Sequence, residues 1–231
     1  MSNIKDVAAL AGVSVTTVSR VLNKRGYISK EVYAKVYDAM EQLDYQPNQI
    51  ARSLYSQKTN CVGVLIPDVS HPFFAEIVKR IEGELNQQGY RIFLCNAVGD
   101  GVREQEYLSM LRQNKVDGII IATHMLETSL YESLDLPIVA LDLELGESIP
   151  TVCADHEKGG RLAAQELIRS GCRCVLNVGG NMDVKTPSIR RYRACEAMLR
   201  EAGVDCINAC LEQEFNRQTY QVEIERLLRQ Y

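Results

Sequence analysis

Apolar residues at Val7, Ala8, Leu10 and Ala11 recur at helical spacing, stop at Gly12-Val13-Ser14, and resume at Val18, Val21 and Leu22. That spacing predicts two short helices turning one apolar side inward. Asn3 is placed to cap the first, with Asp6 where the acid of a capping box belongs, and Ser14 caps the second. Two short helices joined by a Gly-containing turn make a helix-turn-helix, whose second helix enters the DNA major groove with its N-terminal end nearest the bases. A third helix begins after Ser29 and carries Val32, Val36, Met40 and Leu43 inward, with Tyr33 and Tyr37 alongside. Three helices of this size give a small, marginal core.

Tyr45-Gln46-Pro47-Asn48 breaks the pattern, and QIARSLYS follows. That run has room for one or two helical turns and is too short to hold alone in water. Its stabilising surface has to come from DNA or from a second copy, so its ordering is deferred to binding.

From Cys61 the pattern changes to buried apolar runs that alternate with amphipathic stretches. The strands expected are 61–66, 90–95, 116–122 and 137–141. Between them lie helices over 73–88 (Phe74, Ile77, Ile81 and Leu85 inward), 103–114 and 126–134. The rhythm then recurs, with strands at 152–154, 174–178 and 206–209 and helices at 157–170 (Leu162, Ala163 and Leu167 inward), 188–202 and 216–228. Strands alternating with helices predict an α/β layer on a mostly parallel sheet. The second set has only two clear strands and a possible third, and a parallel sheet needs both faces covered. The expected division is 1–46 for the helical head, 47–60 for the hinge and linker, 61–150 for a first α/β unit and 151–231 for an incomplete second one.

Charge sharpens this picture. Residues 1–60 carry eight Lys or Arg against five Asp or Glu, a balance of +3, within a chain whose net charge is −4. A basic head on an acidic body suits contact with DNA, and so modest an excess favours a dimer, which doubles the phosphate contacts. No apolar run is long enough to cross a membrane and the N-terminus lacks the apolar block of a signal peptide, so a cytoplasmic, nucleoid-associated protein is expected. The eight cysteines (61, 95, 153, 172, 174, 195, 206 and 210) read as thiols buried as small hydrophobes. Their spacing fits no zinc pattern, so no metal or other cofactor is expected. His71, His124 and His156 are scattered, and no nucleophile-elbow, zinc-protease or phosphate-loop motif is present, which argues against an enzyme.

The candidate DNA contacts lie on the second helix. Arg20 can fork onto guanine O6 and N7, and Thr16 stands at the base-facing end beside Val15. Ser19 suits phosphate, which positions rather than specifies, and Thr17 either turns partly inward or faces phosphate. Tyr45 and Asn48 either touch phosphate or shape the linker. Asp68 and Ser70 lie on the loop after the first strand's carboxyl end, where open parallel sheets bind ligands.

IKDVAALAGVSVTTVSRVLN, YQPNQIARSL, VGVLIPDVSHPFF, VDGIIIA and GGRLAAQELIRSG together resemble the family of bacterial transcription regulators that includes the lactose and purine repressors. The resemblance covers the whole chain, which stops inside the C-terminal effector-binding subdomain of a typical member. It implies a helix-turn-helix domain with a hinge helix, followed by an α/β domain like the periplasmic binding proteins. It also implies a homodimer on a near-palindromic double-stranded operator. Val15, Thr16 and Arg20 match the positions at which members read bases. Leu54 holds the place of the leucine that wedges between base steps, and Ala51 that of the small residue letting two hinge helices approach. In the effector domain, Phe73 and Phe74 match aromatic ligand contacts and Arg191 the effector-binding arginine, although Ala194-Cys195 and Gly171-Cys172 depart from the usual Gly-aromatic and Gly-His pairs.

The expected function is a sequence-specific DNA-binding regulator, a repressor controlled by a small-molecule effector, which the resemblance makes a sugar. The alternatives are a truncated regulator without effector response, and a small-molecule-binding module alone.

Overall fold

The computed structural model describes residues 2–23, 25–46, 58–97, 100–123, 126–179, 187–211 and 217–230. The chain divides into two compact units, Met1–Thr59 and Asn60–Tyr231.

In the first unit, α1 (Ile4–Ala11), α2 (Val15–Leu22) and α3 (Lys30–Gln42) follow one another. Each begins on the cap its sequence provides. Asn3 accepts from the Lys5 N–H while its own N–H donates to Asp6, a complete capping box. Ser14 Oγ accepts from the Thr17 N–H at 3.1 Å, and Ser29 Oγ from that of Val32. Gly12, at φ +66°, ends α1 in the left-handed conformation that glycine adopts without strain. Val7, Ala8, Ala11, Val18, Val21, Val36 and Ala39 make the core. Leu10, expected inside, is 50% exposed because it falls to the side of the stripe formed by Val7, Ala8 and Ala11.

The second unit is built on a five-stranded parallel sheet. Its strands are β1 (Cys61–Ile66), β2 (Arg91–Asn96), β3 (Gly118–Ile121), β4 (Ile138–Leu141) and β5 (Thr151–Val152), ordered β2-β1-β3-β4-β5. The crossovers are α4 (Pro72–Gln87), α5 (Gly101–Gln113) and α6 (Thr128–Glu132). Alternation along β1 splits the core in two. Val64 and Ile66 face Phe74, Val78 and Ile81 of α4, while Leu65 faces Leu108 and Leu111 of α5 and Tyr131 of α6. Gly63 leaves the space that Leu111 fills, since a Cβ there would lie 2.5 Å from Leu111 Cδ1. The short strand after residue 150, read in sequence with the second set, extends the edge of this first sheet: Ala140 pairs with Thr151 and Leu141 with Val152.

Four further elements follow: α7 (His156–Arg169), β6 (Cys174–Gly179), α8 (Ile189–Glu201) and β7 (Asp205–Cys210). β6 and β7 pair in parallel, and Ala164, Cys195, Leu199 and Val204 form a small core beside them. Leu162 and Ala163, expected to face in, are exposed, because α7 packs on α8 through Gly160 and Ala164 instead. The last helix, α9 (Arg217–Gln230), buries Leu227 and leaves Val222 and Leu228 exposed.

The cysteines correct the sequence reading in part. All eight are free, but only Cys95 and Cys195 are buried; Cys153, Cys174 and Cys210 are exposed. Burial pushes the Cys95 thiol up to about 11.

Candidate functional site

The surface of α2 separates into two sets of side chains. Val18 and Val21 are buried and fix the helix on α1 and α3. Thr17 Oγ1 lies 2.9 Å from Ser14 Oγ, and Ser19 accepts from Asn23 Nδ2 through both its carbonyl and its hydroxyl, so these two candidates are engaged in capping. Val15, Thr16 and Arg20 are exposed, and the side chains of Thr16 and Arg20 have no bonded partner among the described residues. Two polar side chains and one apolar one are thereby presented together, with the donors of a guanidinium free. Sequence reasoning passed over Tyr27, which is 97% exposed on the connection to α3. Asn48, Ala51 and Leu54 lie outside the described residues.

The second candidate site lies at the carboxyl ends of the parallel strands. After β1, the Asp68 carboxylate accepts from the Ser70 N–H at 2.8 Å and from Ser70 Oγ at 2.9 Å. Asn96, at the end of β2, accepts from the Val69 N–H at 3.0 Å and pins the loop from the neighbouring strand. His71 caps α4 by accepting from the Phe73 N–H through Nδ1. Its ring meets Phe74 at 5.5 Å, and Phe73 meets Phe74 edge-on at 5.2 Å. Phe74 packs on the sheet, whereas Phe73 is 48% exposed, so one of the two candidate aromatics faces outward.

At the end of β4, Asp142 holds φ +56° and pairs with the buried His156 that opens α7. Arg190 of α8 pairs with Glu144, in the segment after β4. Arg191 is exposed on the first turn of α8, with its guanidinium 5.6 Å from the centre of the Tyr192 ring. Among the described residues, no hydrogen bond or ring contact joins Arg191 to Asp68, Ser70, Phe73 or Phe74. His71, Asn96, Asp142 and Tyr192 were not singled out by sequence reasoning. Asn96 and His71 act through backbone groups that sequence does not reveal, and the others meet partners across a crossover. Among the described residues no group of three His, Cys, Asp or Glu is placed to hold a metal ion, and no helix is long and apolar enough to cross a membrane.

Residues 3–48 match the model of bacterial regulatory proteins of the lacI family, and residues 59–226 that of periplasmic binding proteins and the sugar binding domain of the LacI family. The chain belongs to the LacI family. This LacI-family chain is 43% identical over 204 residues to a ribose operon repressor of Halalkalibacterium halodurans, covering 88% of itself and 61% of that protein. It is 39% identical to a sucrose operon repressor of Streptococcus mutans, covering 88% and 64%. It thus spans about three fifths of the length of these relatives. Against a ribose operon repressor of Lactococcus lactis subsp. lactis it is 37% identical over 228 residues, with 99% and 68% covered. A periplasmic binding protein/LacI transcriptional regulator from Alkaliphilus metalliredigens, solved with D-xylulofuranose, superposes with TM-score 0.63 at 30% identity, over 68% of this chain and 58% of that one. The Lac repressor dimer bound to operator gives TM-score 0.81 at 24% identity over 99% and 70%, a likeness of fold.

Proposed function

We propose that this LacI-family chain is a sequence-specific DNA-binding repressor, active as a homodimer on a near-palindromic operator and controlled by a sugar effector. The observation that carries the reading is the division of labour on α2. Thr17 and Ser19 serve the caps, while Val15, Thr16 and Arg20 stand exposed and the Arg20 guanidinium has no partner among the described residues. Arg20 and Thr16 read base edges, and Thr17 and Ser19 lie against phosphate. Residues 47–60 form the hinge, in which Asn48 contacts phosphate, Ala51 allows two hinges to approach and Leu54 wedges between base steps. An apolar wedge of that kind kinks the duplex at the cost of unstacking.

The effector site draws on Asp68, Ser70, Phe73 and Phe74 from the first α/β unit, 61–150, and on Arg191 from the second, 151–231. Relatives named for ribose and sucrose operons, and a solved relative holding D-xylulofuranose, support a sugar. Control is a coupling between two equilibria: a ligand shifts DNA binding only as far as its affinity differs between the two states. The work of such a regulator places it in the cytoplasm, at the nucleoid.

Selection from a random duplex pool tests the reading. The protein is expected to enrich a near-palindrome, and Arg20→Ala to lower discrimination at one position of each half-site by roughly tenfold or more. Unchanged preference in Arg20→Ala removes base reading from Arg20, and equal binding to every duplex rejects the regulator. Specific DNA binding that no sugar alters replaces effector control with constitutive binding.

A further inference from the structure

β1 begins one residue after Asn60, the residue that opens the second compact unit. The Asn60 N–H donates to Asp117 Oδ2 at 3.0 Å, and its carbonyl accepts from the Arg91 N–H at 2.8 Å. Arg91 opens β2 and Asp117 immediately precedes β3, the two strands that flank β1, so Asn60 is bonded on both sides. Asp117 makes a second bond, its N–H donating to the Cys61 carbonyl at 2.8 Å. Its neighbours hold it there: Val116 is buried, and Gly118 pairs with Val62. Asn60 itself keeps φ +52°, a left-handed backbone that asparagine enters more readily than most residues and β-branched ones scarcely at all. Two flanking bonds and a left-handed turn thus fix the direction in which the chain enters the sheet.

We propose that Asn60 and Asp117 form a clamp that fixes the end of the linker and thereby sets the half-site spacing the protein accepts, with Asp117 as a positioning residue. The inference rests on the reading of this chain as a dimeric, operator-binding repressor. A hinge that orders only on DNA contributes no stiffness before it docks. The spacing of two heads is then set by how far each linker reaches from its fixed end. Releasing one residue adds up to about 3.5 Å of reach per chain, and about 7 Å across a pair. One base-pair step is about 3.4 Å along the duplex, so a released pair spans two further steps. That reading gives Asp117 no base contact, so its loss changes the accepted spacing and not the sequence read.

Binding of the 231-residue chain to duplexes that carry its selected half-sites at stepped centre-to-centre spacings tests this. The wild type is expected to favour one spacing by roughly tenfold over its neighbours, and Asp117→Ala to bring those neighbours within about threefold while half-site sequence preference stays unchanged. Asp117→Asn, which keeps an acceptor for the Asn60 N–H, should restore the single spacing. Asn60→Val, which resists the left-handed backbone, should broaden the profile as Asp117→Ala does, whereas Asn60→Gly, which adopts that backbone freely, should keep it narrow. A fold merely weakened would lower binding at every spacing by the same factor. Folded Asp117→Ala and Asn60→Val proteins with the wild-type profile overturn the clamp and leave the repressor reading standing, as does a wild type indifferent to spacing. A wild type that selects no paired half-sites overturns both. If neither variant folds, amide exchange of the wild type decides: an Asn60 amide slowed about tenfold or more relative to an unstructured chain supports the clamp, and an unprotected one overturns it.

Discussion

His156 Nε2 lies 2.5 Å from Asp142 Oδ1, and this contact joins the first residue of α7 to the residue that closes β4. Both partners show that the junction is held by its surroundings. Asp142 keeps a left-handed backbone at φ +56°, with its N–H donating to the Val152 carbonyl across the sheet edge. His156 is buried, and its Nδ1 has no hydrogen-bond partner among the described residues. The imidazole side chain therefore relies on Asp142. Asp142→Ala should cost about 2–3 kcal/mol, since it strands a buried ring and retains the unfavourable φ. Asp142→Gly should cost less, because glycine relieves the backbone. Asp142→Asn should cost least, since it tolerates the left-handed region and keeps an acceptor. Urea melts of the three variants check that order, and an Ala variant as stable as the Asn variant would remove the tie.

On the first turn of α5, Glu104 is fully buried. Its carboxyl accepts from Thr123 Oγ1 at 3.0 Å and from the Tyr131 hydroxyl, which in turn accepts from the Leu126 N–H. An acid in this position is tolerable only while its oxygens are met. Tyr131→Phe and Thr123→Val should each destabilise by about 1.5–3 kcal/mol, and the double variant by less than the sum if both act through Glu104. A double-mutant cycle by chemical denaturation measures that coupling.

The caps of α1, α2 and α3 were legible in the sequence because Asn3, Ser14 and Ser29 act on backbone groups two or three residues away. The α/β alternation was legible for the same reason, since it is periodicity within single elements. What sequence could not give depends on which element lies opposite. Leu162 fits an inward stripe on α7, yet the helix turns Gly160 and Ala164 toward α8, because small residues allow the closer approach. At the candidate ligand site, Asp68 and Ser70 were readable as a strand-end loop. Tyr192 over Gly179 was not, because the two residues are separated by the crossover into α8.

That close approach makes a sharp contrast between adjacent glycines. A Cβ on Gly160 would stand 2.1 Å from the Arg191 carbonyl oxygen and 3.1 Å from Ala194 Cβ, whereas one on Gly159 meets nothing within 4 Å. Gly160→Ala must push α7 away from α8, at a cost of roughly 1–3 kcal/mol, and displaces the backbone that carries Arg191. Gly159→Ala adds helix propensity with no clash and should stabilise by up to about 1 kcal/mol. Thermal melts of the two single variants should move in opposite directions, and a shared direction would mean that the helices do not pack through Gly160.

The cysteines give a chemical readout of the same fold. Only the thiolate reacts with alkylating reagents, and reaction requires access. At pH 8, Cys153, Cys174 and Cys210 should be modified first because they are exposed, while Cys95, buried on β2 and pushed up to about 11, stays protected until the chain opens. The linked effect on stability has a definite sign. An unfolded thiol releases its proton near pH 8.5, so between that pH and about 11 the folded chain binds a proton that the unfolded chain has lost. Stability from this group is intact below the unfolded value and falls as pH rises through the window. Cys95→Ala should flatten the decline in that range, at the cost of the methyl-sized void its sulfur leaves. Mass-spectrometric labelling at pH 8, together with urea melts at pH 7.5 and 10, tests both halves. Labelling of Cys95 as fast as that of Cys153 would place β2 in an open state rather than in the core.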